Sequence, residues 1–203
     1  MANTLTDALK QAIDYTLSHI HIALPGIIIK FDEATKLAEV QPSLQRKYLD
    51  GSTLDMPNIV NVPVIFQQSK DFSDTYPLNK GDGVLLIFSE RALERWLNNG
   101  HGSEPGARRK FDLSDAIAIP GLFAKNTARN YDPTNAVRKF KNCIFKMQPD
   151  GKFAIGNDGA ELLDLINSLI NAIKSATYGG NNLDDPAPFD VIQSDLDKIR
   201  GAL

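Results

Sequence analysis

The sequence predicts a mainly β fold with helical ends, and three observations predict it. Short apolar runs recur between residues 26 and 124, each bounded by turn-forming residues. The stretches before residue 24 and after residue 158 instead carry apolar side chains at three-and-four spacing, the mark of helices with one buried face. Pro149-Asp150-Gly151 separates two alternating stretches, which reads as a β-hairpin. The predicted layout is an N-terminal helix in 1–24, a barrel domain in 25–125, a linker in 126–141 and an oligomerisation element in 142–203.

Leu5, Ala8, Leu9, Ala12, Ile13, Thr16, Leu17 and Ile20 share one face of a helix over residues 4–20, and Pro25-Gly26 ends it. Gly26 to Phe31 is a strand with the β-branched run Ile27-Ile28-Ile29. A turn at 32–35 leads into a longer, more polar strand from Leu37 to Tyr48, in which Pro42 predicts an edge or a bulge. Met56 to Phe66 is the next strand. Pro77 to Leu97 then combines a turn at Lys80-Gly81-Asp82-Gly83, a core strand from Val84 to Phe88, and a short helix that Ser89 would cap. Asp115 to Leu122 is the last strand of this set. About five strands with mostly short connections predict a small antiparallel barrel.

The C-terminal part changes character. In the hairpin over 142–157, Cys143, Phe145 and Met147 alternate on one arm, and Phe153 and Ile155 on the other. An isolated hairpin is marginal in water, so those side chains need cover. Asp158 and Glu161 have capping-box spacing for a helix over 159–177. Leu162, Ile166, Leu169, Ile173 and Ala176 form a heptad seam on it. Leu163, Leu165 and Ile170 widen the apolar face. A last helix over 186–200 opens at Asp185-Pro186, closes at Gly201, and repeats Phe189, Ile192, Leu196 and Ile199. Helices this short need tertiary support. The expectation is a homo-oligomer joined through 142–203 as a coiled coil or helical hairpin beside a short β-prism.

Composition narrows the function classes. The net charge of −3 with no long basic run argues against wrapping duplex nucleic acid. The single cysteine, Cys143, excludes an internal disulfide framework. No apolar run is long enough to span a bilayer. With no secretory signal pattern at its start, the chain is expected to be made in the cytoplasm. Arg108-Arg109-Lys110 reads as a solvated loop face. Asp71 with Asp74, and Glu90 with Glu94, are the carboxylate pairs available for acid–base chemistry, yet such loop and helix carboxylates are far more often solvated charge. No GxSxG or phosphate loop is present. Neither an enzyme nor a cofactor is expected. His19 and His21 have alternating spacing that suits a metal on a strand, but as boundary residues of the first helix they are ordinary.

The ordered set Pro77, Gly81-Asp82-Gly83, the strand ending at Phe88, Glu90-Arg91 and Trp96 resembles the N-terminal barrel domain of the bacteriophage baseplate central spike, or baseplate assembly protein V, family. The resemblance covers about residues 20–125, and more loosely the tail from Glu161. It implies a five-stranded oligonucleotide/oligosaccharide-binding (OB) type barrel and a homotrimer on the tail axis. It also implies baseplate hub proteins as partners, a place in the virion, and a role in penetrating the host envelope. Such proteins often continue as a needle of short strand repeats, whereas here one hairpin precedes the helices. A separate spike-tip protein is therefore an expected partner. The alternative of another class is an oligomeric OB module binding single-stranded nucleic acid or glycan, for which Phe66, Phe72 and Tyr76 are the best-placed aromatics.

Overall fold

The computed structural model describes residues 4–48, 50–102, 104–127, 131–178, 181–182 and 187–201, with backbone alone for residues 177, 178, 181, 182 and 188. The chain divides into two compact units, Met1–Arg129 and Asn130–Leu203.

The first unit opens with α1 (Leu5–Ser18). The Thr4 hydroxyl accepts the Asp7 N–H at 3.2 Å while the Asp7 carboxylate accepts the Thr4 N–H at 3.1 Å, a reciprocal cap that satisfies two otherwise orphaned donors. The chain continues through β1 (Ala23–Asp32), β2 (Leu37–Pro42), β3 (Arg46–Lys47), β4 (Thr53–Leu54) and β5 (Ile59–Pro63). After these come β6 (Gln67–Gln68), β7 (Ser73–Asp74), β8 (Gly83–Phe88), α2 (Glu94–Asn99), a 3₁₀ turn at Leu113–Asp115 and β9 (Ala116–Pro120). Five strands pair antiparallel in the order β5-β2-β1-β8-β9, while β3–β4 and β6–β7 form separate two-stranded ribbons. The sheet curls into a half-barrel. An isolated parallel bridge joins Val64 to Ala118, and the Ile65 N–H donates to the Ala118 carbonyl at 2.9 Å, so the chain leaving β5 meets β9.

Alternation places the core inside this curl. Ile28, Ala38, Val40, Ile59, Val62, Val84, Leu86, Phe88, Ala116 and Ala118 form one buried cluster. A bulge after Ile28 shifts the register from Ile28↔Val40 to Lys30↔Glu39, and a second irregularity lies between Ala38 and Val40 where β5 pairs with β2. Asn61, at φ 58°, lies opposite that irregularity.

Several expectations change here. The strand foreseen from Leu37 to Tyr48 stops at Pro42, which is buried at the end of an inner strand and pairs with Gly26. Beyond that point β2 has no further partner on the β5 side, so the missing N–H costs no ladder bond there. Ser89 does not cap α2. Its hydroxyl accepts the Arg91 N–H at 3.3 Å, and the helix starts later, after Leu93, with no side-chain cap.

In the second unit, β10 (Ala136–Phe140), β11 (Cys143–Met147), β12 (Phe153–Asn157) and β13 (Ala160–Glu161) form a four-stranded antiparallel sheet in chain order. It is followed by α3 (Leu162–Ser175), the ribbon β14 (Thr177–Tyr178) with β15 (Asn181–Asn182), and α4 (Ala187–Ile199). The predicted linker thus contains a strand: β10 lies within 126–141. The Asp132 carboxylate starts it by accepting N–H bonds from Thr134 (2.9 Å) and Asn135 (3.0 Å) and the Asn135 side-chain amide (2.8 Å). Those bonds hold the Asp132 carboxyl down at a pKa of about 2. The cap of α3 also differs. Asp158 does not serve; Glu161 occupies the cap and accepts the Asp164 N–H at 2.7 Å. Gly179-Gly180 and Asp185-Pro186 lie outside the described residues.

Gly83 carries a sharp packing requirement, because a Cβ there would lie 1.9 Å from the Leu122 carbonyl oxygen. Backbone must move to admit it. Gly83→Ala is expected to lower the unfolding free energy by roughly 2–3 kcal/mol or more, read from the urea midpoint.

Candidate assembly surfaces

The residues that carry the barrel motif have structural work in common. Gly81, at φ 95°, donates its N–H to the Ile28 carbonyl (2.8 Å), and Ile28 donates back to the Asp82 carbonyl (2.9 Å). The Asp82 carboxylate accepts the Asn79 N–H at 2.7 Å. The Gly121 N–H donates to the Gly83 carbonyl at 3.0 Å. One turn therefore ties β1, β8 and the exit of β9 together. Phe88 is in the core, whereas Glu90 and Arg91 form an exposed ion pair at 3.1 Å and Trp96 is half exposed on α2.

The loop before β9 holds an arrangement that the sequence did not disclose. Asp115 is buried, and its carboxylate accepts from Arg109 Nε (3.1 Å), Arg109 Nη2 (3.2 Å) and the Leu93 N–H (2.9 Å). Arg109 also pairs with Glu94 on α2. These bonds, that to Asp115 first, push the Arg109 guanidinium further toward its charged form. Arg109 is thus no part of a solvated basic face; it fastens α2 and its loop to the sheet. Glu94 is its partner, and Glu90 pairs with Arg91, so both members of that predicted carboxylate pair sit in ion pairs. A basic triplet such as Arg108-Arg109-Lys110 in a glycine-rich loop carries no sequence signal for which member turns inward.

A groove of about 790 Å³ opens on the first unit. Its floor includes Phe31, Leu37, Phe66, Tyr76, Leu78 and Leu97, with Glu33 and Lys36 among its polar residues, and Pro77 also lines it. Phe66 packs edge-on against Phe31 (6.2 Å between ring centres) and against Tyr76 (5.4 Å). Two of the three aromatics picked out in the sequence therefore meet, while Phe72 stands apart and 57% exposed. Desolvation raises the Tyr76 phenol above its ordinary pKa.

The apolar face of α1 is uncovered within the chain. Leu5, Leu9, Ile13 and Leu17 are all at least half exposed, and no residue of the helix is buried. At its end, the His19 ring packs on Tyr15 and the His21 ring on Phe88. Among the described residues, no group of three or more His, Cys, Asp or Glu gathers in a way that could hold a metal.

The predicted C-terminal interface residues divide sharply. Of the seam on α3, Leu162, Ile166, Leu169 and Ala176 are exposed and Ile173 is half-buried. Two of the three residues that widened it, Leu163 and Ile170, pack instead with Leu196 of α4, joined by Phe153 and Phe189, while Leu165 is exposed. Polar bonds reinforce that pairing: the Gln193 amide donates to Asn167 (2.6 Å) and Asn171 (3.1 Å), and Lys174 pairs with Asp190. On the sheet, Phe145, Met147, Phe153 and Ile155 line an open cavity of about 480 Å³. The Phe145 and Phe153 rings meet edge-on at 6.3 Å. Glu161 closes the corner, its carboxylate accepting the Ile155 N–H at 3.0 Å as well as capping α3.

Residues 24–121 match the family model of the phage protein Gp138 N-terminal domain. That match supports a phage protein and suggests a structural role in the phage particle. No curated protein matches the chain. Among the described residues no helix is long and apolar enough to cross a membrane.

Arg109→Ala would leave a buried carboxylate with one remaining N–H donor. Because Arg109 is partly exposed, the expected loss is about 1–3 kcal/mol, with Asp115→Asn costing less. Thermal or urea unfolding of the two variants checks the order; equal losses would mean that leaving the carboxylate unpaired adds no cost beyond loss of the ion pair.

Proposed function

We propose that this chain is a non-enzymatic structural component of a contractile phage tail, a homotrimer in the baseplate hub or central spike. The single observation that carries the reading is the uncovered apolar seam of α3. Leu162, Ile166 and Leu169 lie in the open on a helix whose neighbouring stripe is already committed to α4. Large apolar side chains at heptad spacing on an exposed helix face mark an interface. The Gp138 match supports the phage setting.

The barrel is best read as OB-type. Its sheet order, with the first strand between the second and fourth, and the parallel bridge from Val64 to Ala118 both support that topology. Its helix falls between the fourth and fifth sheet strands, which makes it a decorated version. In this reading the barrel sits in the hub and the second unit trimerises as a short β-prism and coiled coil. Hub proteins and a separate tip protein are the partners. The chain is made in the host cytoplasm and carried into the virion, where it assists envelope penetration.

Light-scattering mass separates this from a monomeric module. The full chain is expected at three times its 22.3 kDa, and a chain ending at residue 129 is expected to lose most of that association. A monomeric full chain would remove the reading.

A further inference from the structure

We infer that α1 of one copy seats its apolar face in the Phe31–Phe66–Tyr76 groove of a neighbouring copy. The inference rests on the trimer proposed above and adds a contact between the first units. Helix and groove are both unoccupied within the chain, and they match in character. The helix offers Leu5, Leu9, Ile13 and Leu17 in a row, all largely exposed. The groove offers an aromatic and aliphatic floor bounded by polar side chains. Apolar anchors at helical spacing entering such a groove are a recurrent recognition mode.

The chain's own helix does not fill the groove, since no residue of α1 is buried. Only His19 and Ile20 separate Ser18 from His21, whose N–H donates to the Phe111 carbonyl at 3.0 Å. The next residue, Ile22, accepts the Phe88 N–H at 3.1 Å. The root of α1 is thereby pinned at the Ala23 end of β1. Phe31 lies eight residues along that strand, roughly 26 Å at about 3.3 Å per residue. From Ile13 to the pinned His21 is at most about 18 Å, given about 1.5 Å per helical residue and about 3.5 Å per extended one. Ile13 and Leu17 therefore fall short of the Phe31 end of their own groove, and all four anchors line it together only when the helix comes from another copy.

A second copy fits that place. Lys10 and Asp14 lie one turn apart beside the apolar stripe of α1, and Glu33 and Lys36 lie three apart in the turn at the groove. Opposed, they give two pairs of opposite charge, Lys10 with Glu33 and Asp14 with Lys36. The contact is heterologous, helix to groove, and such contacts close into a ring when the rotation allows. In a trimer each helix and each groove would be used once.

The test uses full-length chains in a Cys143→Ser background. One chain carries Leu9→Cys and the other Leu97→Cys, both at surface positions, and the two are co-expressed and oxidised. The expected result is a disulfide between the two different chains, found as a linked dimer on a non-reducing gel and as the mixed peptide by mass spectrometry. It should be lost when Lys10→Glu and Asp14→Lys are added to the helix chain. A trimeric mass without that link overturns this inference and leaves the proposed function standing, as does a link between two Leu9→Cys chains, which would mean that the helices bundle together. A monomeric mass overturns both.

Discussion

Leu163, Ile170 and Leu196 are the large buried side chains on which the second unit closes, with Phe153 and Phe189 packed against them. The first unit closes on a buried cluster that draws on all five sheet strands. A core as small as that of the second unit leaves little to offset the conformational entropy of ordering four strands and two helices. What the helices leave uncovered follows from that shortage. Once α3 has turned its Leu163–Ile170 stripe toward α4, its other apolar stripe is left exposed. The polar bonds from Gln193 and Lys174 fix the helix pair in one rotation, so the exposed stripe is held in place as well.

The first unit solves a different problem. Its sheet is organised around β1, which pairs with β2 on one side and β8 on the other. The Gly81-Asp82-Gly83 turn extends that pairing by exchanging backbone bonds with Ile28, and Gly83 lets the chain after β9 come close. The buried Asp115 then fixes the loop that carries α2. The outcome is a unit that displays two features, a groove and a helix rooted by the His21 and Ile22 backbone bonds.

Much of this was legible from the residues. The strand ending at Phe88 and its glycine turn, the first helix, and the two C-terminal helices are marked by period and by turn chemistry. The illegible parts share one cause, the absence of a periodic apolar signal. All five residues of β10 are exposed, so neither alternation nor hydropathy separates that strand from a linker. The Gln67–Gln68 and Ser73–Asp74 ribbon is polar throughout. In α3 two apolar stripes lie side by side, and spacing alone cannot say which one the chain keeps for itself. The Asp158–Glu161 pair had the right spacing for a cap, but Glu161 took that role because its second carboxylate oxygen also satisfies Ile155 across the corner. Arg109 was hidden because a salt bridge across six residues leaves no pattern in a glycine-rich loop.

The central claim is that the exposed stripe of α3 joins copies of the chain while the buried stripe holds the chain itself. Leu169 is 60% exposed on the first and makes no part of the buried cluster. Sedimentation of Leu169→Asp beside the unaltered chain tests the claim most directly. The account predicts a fall from trimer to monomer mass with the helices still formed. An unchanged mass would contradict it.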